Sequence, residues 1–174
     1  GPEAAMPVME GKAALFKQFA GVNAVPLCID TKNTQEIIAF CKQVAPTFGG
    51  INLEDISAPR CVEIERTLIK ELDIPVFHDD QHGTAIVVTA ALYNALKVVG
   101  KKKEDITVTV SGTGAAGSSI IRMLHAFGVK TIYGFNINGI IIKDDYAHYD
   151  FLCKELTEIT NPECKRLTLA DALK

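Results

Sequence analysis

The chain lacks the features that mark several classes of protein. There is no cationic surplus: 18 Lys and Arg against 21 Asp and Glu leave a formal net charge of −3. Attraction to a phosphate backbone therefore cannot be the main source of binding energy, and no nucleic-acid partner is expected. There is no C-x-x-C pair either. The five cysteines, Cys28, Cys41, Cys61, Cys153 and Cys164, are odd in number and widely spaced, which argues against a disulfide framework or zinc ribbon and for reduced thiols. No apolar run reads as long enough or suitably flanked to span a bilayer. The opening GPEAAMPVMEGK lacks the basic region and apolar stretch of a secretory signal. A cytoplasmic location without a membrane partner is the expectation that follows. An initiator Met is missing as well, since the chain opens with Gly1 and Pro2 and runs out at LTLADALK without a stop signal. The reading is of an internal fragment with its true start upstream.

What is present is enough for a real core. With 174 residues, 48% of them hydrophobic and 22% charged, the chain falls in the range of one or two small globular domains. Met9, Ala13, Phe16 and Ala20 form a helical stripe, with Gly21 placed for a left-handed cap. Next come AVPLCI as a strand and Thr34 as the N-cap of a helix carrying Ile37, Ile38, Cys41 and Val44, halted at Pro46. The pattern then repeats. GGIN is a strand leading to Glu54 and Asp55; Ser57 caps a helix with Cys61, Ile64, Leu68 and Leu72; IPVF is the following strand. A helix from about Gly83 to Val99 is apolar around nearly its whole circumference, which predicts a core helix between layers.

GKKKED, the abrupt polar break, marks a boundary between residues 1–100 and 101–174. After it, ITVTV, a glycine-rich turn, an amphipathic helix and TIYGF begin a new strand-helix-strand unit. Alternating strands and helices with short connections imply parallel sheets and an α/β fold in both parts.

Two sites stand out. Loops leaving the carboxyl ends of parallel strands gather on one edge of the sheet, so Glu54 and Asp55 should emerge beside Asp79 and Asp80 if their strands are neighbours. Such a cluster would repel itself without a cation, and its hard oxygens favour Mg²⁺ or Mn²⁺. The bland alternative is solvated loop acids that cap the following helices. A rival zinc site of His78 and His82 needs one continuous helix across HDDQH. Lys12 is either a base made usable by partial burial or a lysine snorkelling to water. The second site is ITVTVSGTGAAGSSII, where Gly112, Gly114 and Gly117 follow the G-x-G-x-x-G spacing between a strand and a helix. There the first glycine permits the turn, the second lets backbone approach a pyrophosphate, and the third lets helix and strand pack closely. Asn136 occupies the ribose position at the end of the second strand, an amide that leaves NAD against NADP open, with Lys143 nearby.

Taken together, GPEAAMPVMEGKAALF, GGINLEDISAPRC, PVFHDDQHGTAIV and GTGAAG closely resemble the malic enzymes of the compact bacterial and protist type, over essentially the whole chain. The resemblance implies a parallel-sheet catalytic domain over 1–100, lacking its N-terminal part, and the start of a Rossmann-like NAD(P)-binding domain over 101–174. It also implies oxidative decarboxylation of malate to pyruvate and CO₂, with NAD or NADP and with Mn²⁺ or Mg²⁺. By position, Glu54, Asp55 and Asp80 match the family's metal ligands, Lys12 its general base and Asp79 a neighbouring catalytic acid. Gly112, Gly114, Ala115 and Gly117 match its dinucleotide turn. Ser111 and Asn136 depart from the Asn and Asp of many relatives, a difference that bears on cofactor preference. The isolated chain is expected to turn malate over poorly or not at all, and its full-length parent to be a homodimer or higher homo-oligomer. The alternatives are a non-catalytic dinucleotide-binding module and a metal-dependent decarboxylase without hydride transfer.

Overall fold

The computed structural model describes residues 1–174 and has a mixed α/β architecture. Helix α1 (Pro2–Ala20) carries Pro2 in its first turn, where a missing N–H costs nothing. It stops at Gly21, whose φ of 68° suits glycine. The stripe of α1 is only half-buried, and Leu15 and Phe19 on its flank are exposed.

AVPLCI is not a strand. Residues 24–29 run without ladder pairing, and Val25 and Leu27 are exposed. Pro26 has no N–H to contribute, and no neighbouring strand is there to pair with. Helix α2 (Thr34–Val44) is capped by Asn33 rather than Thr34: the Asn33 side chain accepts from the backbone N–H groups of Gln35 and Glu36. A 3₁₀ turn (Ala45–Thr47) containing Pro46 ends it.

Strands β1 (Ile51–Leu53) and β2 (Val76–His78) are parallel, pairing Ile51 with Val76 and Leu53 with His78, and helix α3 (Arg60–Glu71) joins them. Ser57 does not cap α3, which starts three residues later with Pro59 at its N-cap and no side-chain cap. The Ser57 carbonyl instead accepts from the Cys61 N–H, and its hydroxyl from Arg60. Ile37, Ile38, Cys41, Leu53, Ile64 and Leu68 form the core between α2, α3 and this sheet.

Helix α4 (Asp79–Val99) begins directly after β2, four residues before Gly83. Asp79 and Asp80 are its first turn, where carboxylates face the positive end of the helix dipole. It is not a core helix. Gln81, Ala85 and Leu96 are its buried residues, while Ile86, Val87, Val98 and Val99 are exposed. One face packs along the next helix and no second layer covers the other. By length and composition alone α4 would suffice to cross a membrane, but Leu92 on it packs into a hydrophobic cluster.

The second sheet holds parallel β3 (Thr107–Ser111) and β4 (Thr131–Asn136), connected through helix α5 (Ala115–Phe127). A short antiparallel β5 (Gly139–Ile140) adds a hairpin onto β4. Ile121, Leu124, Val129, Ile132 and Ile141 pack with Cys153 and Leu156 of helix α6 (Phe151–Leu156). A third cluster bridges the two sheets' helices, with Cys61 and Val62 of α3 against Leu152 of α6, and Ile56, Ala58 and Ala115 packed around them. Over it, Glu155 accepts from Arg66 of α3 at 2.7 and 2.8 Å and from Arg122 of α5 at 2.7 Å. The loop after β1 and the start of α5 are thus held together.

Candidate active site

Because β1 and β2 are parallel neighbours, the acids that follow them emerge on one edge. There Lys12 of α1 reaches Asp79 Oδ2 at 2.9 Å and Glu54 Oε2 at 3.2 Å. Asp80 Oδ2 accepts from the Asp55 backbone N–H at 2.9 Å. Asp55 has a φ of 59°, the left-handed region that Asp tolerates better than most residues. Strain of this kind is often found where function fixes a backbone. The structure therefore gathers Lys12, Glu54, Asp55, Asp79 and Asp80 from three separate segments.

Lys12 is neither a lysine in free water nor a lysine depressed by burial. Burial alone pulls its pKa down and is the largest single influence. The hydrogen bonds and charges of Asp79 and Glu54 together outweigh it and hold the ammonium above its ordinary value. Neither sequence alternative describes it, because the partly desolvated amine sits between two carboxylates.

As a metal centre the donor set fits in chemistry. Three carboxylates that follow adjacent parallel strands suit a hard divalent cation. Its arrangement is looser, because Glu54 is turned to Lys12 and accepts at 3.2 Å from the Asn52 amide, and no three acidic, His or Cys side chains converge as a ready cluster. The zinc alternative finds no support. His78 ends β2 rather than lying on α4, and His82 turns to Glu65, with Nε2 at 2.8 and 2.9 Å from the two carboxylate oxygens. His78 is fully buried with neither ring nitrogen hydrogen-bonded, and burial lowers its pKa.

The glycine turn lies where the spacing predicts. Gly112 has a φ of 97° and its N–H bonds the Phe135 carbonyl at 2.8 Å. Gly114 is the N-cap of α5 with nothing within 4 Å of where a Cβ would be. At Gly117 a Cβ would stand 1.8 Å from the Gly112 carbonyl oxygen, so only glycine lets α5 approach the turn. Ala115 packs on the cluster shared with Ile56 and Ala58, placing the turn beside the acidic loop. Asn136 ends β4 in line with this edge, but its side chain accepts from the Asn138 N–H at 2.8 Å within the hairpin. Lys143 pairs with Glu158 at 3.1 Å. One residue that pattern reading passes over is Glu65, a buried carboxylate behind the acids. Its signal was a charge inside the apolar stripe of α3, between Ile64 and Leu68.

Known proteins that resemble this chain in sequence and in fold fall in one family. Residues 1–69 match the family model for the malic enzyme N-terminal domain. The chain is 57% identical to an NAD-dependent malic enzyme of Geobacillus stearothermophilus over 99% of its length, spanning 36% of that protein. It is 48% identical to an NADP-dependent malic enzyme of Haemophilus influenzae over 99% of its length, spanning 23% of that one. Among solved structures, the NAD-dependent malic enzyme of Thermotoga maritima superposes with a TM-score of 0.94 at 48% identity, over 99% of this chain and 46% of that one. In sequence along its whole length and in fold, this chain belongs to the malic enzyme family, and it spans less than half the length of these relatives.

Proposed function

We propose that the chain supplies the metal- and malate-binding part, and the start of the nicotinamide-binding part, of an enzyme that oxidises and decarboxylates malate to pyruvate. The carrying observation is the placement of Lys12 against Asp79 and Glu54, with Asp80 holding Asp55, at the shared edge of β1 and β2. In this reading residues 1–100 form the catalytic domain and 101–174 the start of a Rossmann-like domain. The dinucleotide lies over Gly112, Gly114, Ala115 and Gly117, with Asn136 near its ribose.

Glu54, Asp55 and Asp80 would hold Mn²⁺ or Mg²⁺. When bound, such a cation polarises the substrate hydroxyl and the carbonyl that follows, while NAD or NADP accepts hydride. Lys12 moves the hydroxyl proton at Nζ. Held as an ammonium between Asp79 and Glu54, it becomes a base only once those carboxylates release it, so Asp79 sets when the proton can be taken. The start of α5 offers unpaired backbone N–H groups to a pyrophosphate, and the packing of Ala115 near Ile56 brings the turn close to the acids.

Nicotinamide reduction by malate tests the reading, with pyruvate and CO₂ measured as products in Mn²⁺ and in excess chelator. The isolated chain is expected to turn over slowly. Whatever turnover occurs should need the metal, yield pyruvate in proportion to reduced nicotinamide, and vanish in Lys12→Met. Reduction that persists in chelator, or that stops at oxaloacetate, contradicts the proposal.

A further inference from the structure

Glu65 sits on the buried face of α3, in line with Cys61, Ile64 and Leu68, and is 3% exposed. A carboxylate within an apolar stripe is costly to desolvate and persists only where donors surround it. All the donors here come from a single short segment. The His78 backbone N–H donates to Oε1 at 2.9 Å, the Gln81 amide donates to Oε2 at 3.2 Å, and His82 Nε2 lies between the two oxygens at 2.8 and 2.9 Å. That segment spans the junction of β2 and α4, and its two remaining residues are Asp79 and Asp80. Glu65 grips the back of the stretch whose front reaches Lys12 and the Asp55 backbone.

We infer that Glu65 is a positioning residue: its carboxylate fixes residues 78–82 from behind, so that Asp79 and Asp80 face Lys12 and Asp55. The inference rests on the proposed metal site and deepens it. Packing against α5 holds the length of α4 but would not set the rotation of its first turn or the point at which β2 becomes helix. The hydrogen bonds do both, because one anchors the last strand residue and two anchor the first helical turn. Supporting groups of this kind commonly govern metal affinity without touching the ion.

The test uses the full 174-residue chain as wild type, Glu65→Gln and Glu65→Leu, the latter matching the apolar stripe in case the amide folds poorly. Amide hydrogen exchange is followed without metal, Mn²⁺ affinity by electron paramagnetic resonance, and melting temperature as a control. In wild type the His78 amide should be among the slowly exchanging ones. In a folded variant it should exchange at least about tenfold faster, and Mn²⁺ affinity should fall by about tenfold or more. A purely structural role would lower the melting temperature and leave the affinity of the folded protein unchanged. Retention of either the exchange rate or the affinity overturns the inference, as does rapid exchange of His78 in wild type. Should wild type take up no Mn²⁺, the metal reading falls, and the exchange rates alone decide whether Glu65 holds the segment.

Discussion

Replacing the glycines of the turn one at a time separates three physical roles. A Cβ at Gly117 would lie 1.8 Å from the Gly112 carbonyl oxygen and 2.8 Å from its carbon. An ordinary carbon–oxygen contact is about 3.3 Å, so turn and helix must part by about 1.5 Å. The obstacle is backbone rather than a flexible side chain, which puts Gly117→Ala at the upper end of overpacking costs, about 3 kcal/mol. In a chain of this size that lowers the melting temperature by about 6–12 °C. Gly112 has open space but a φ of 97°, and Gly112→Ala should cost about 1–2 kcal/mol from conformation alone. Gly114 has neither constraint; Gly114→Ala should change stability by less than about 0.5 kcal/mol while weakening NAD or NADP binding, since its open side is where a pyrophosphate would approach. Thermal unfolding followed by far-ultraviolet circular dichroism reads the stability order, and calorimetric titration reads the binding. A Gly117→Ala variant that melts with wild type, or a Gly114→Ala variant that melts far below it, would refute this assignment of roles.

Other consequences follow from separate parts of the molecule. Hydrogen bonds from Arg66, then from Arg122, hold the Glu155 carboxyl down to about 2 against burial. A depressed carboxylate stabilises the fold above its unfolded pKa and loses that contribution as pH falls through the folded value. The side chain is 41% exposed, so screening limits the contribution to about 1 kcal/mol. Urea unfolding of wild type and Glu155→Gln should therefore differ near neutrality and converge as pH drops from about 5 towards about 2. Asn33→Ala removes the acceptor of two backbone N–H groups at the start of α2 and should cost about 1 kcal/mol by the same method, with Asn33→Asp nearly neutral. Thiol titration should find exposed Cys164 reacting first, with Cys41, Cys61 and Cys153 blocked until unfolding. Burial raises all three of those thiols, Cys61 to about 11.

The sequence was most legible where periodicity and turn chemistry agree. The stripe of α3, the stop at Pro46, the cap at Gly21 and the glycine turn all appear where their residue types require. It was least legible where the decision depends on a neighbour. AVPLCI has the apolarity of a strand but no partner to pair with, and the apolar circumference of α4 says nothing about how many sides other layers cover. HDDQH resembles a loop because of its acids, yet acids belong in a first helical turn, and α4 starts there. The hairpin to β5 was signalled by Asn138 and Gly139 but missed beside the strand before it. Neighbouring parallel strands bring the acidic pairs to one edge as the spacing suggested, whereas the charge state of Lys12 depended on Asp79, 67 residues away.

The acids at the shared edge of β1 and β2 carry the proposed metal site. Mn²⁺ binding by the chain, with and without oxalate as an enolate mimic and against an Asp80→Ala variant shown to be folded, tests them most directly. Wild type should bind Mn²⁺ specifically, oxalate should tighten that binding, and Asp80→Ala should lose both. Equal, weak Mn²⁺ uptake by folded wild type and variant, indifferent to oxalate, would rule out a metal site at these acids.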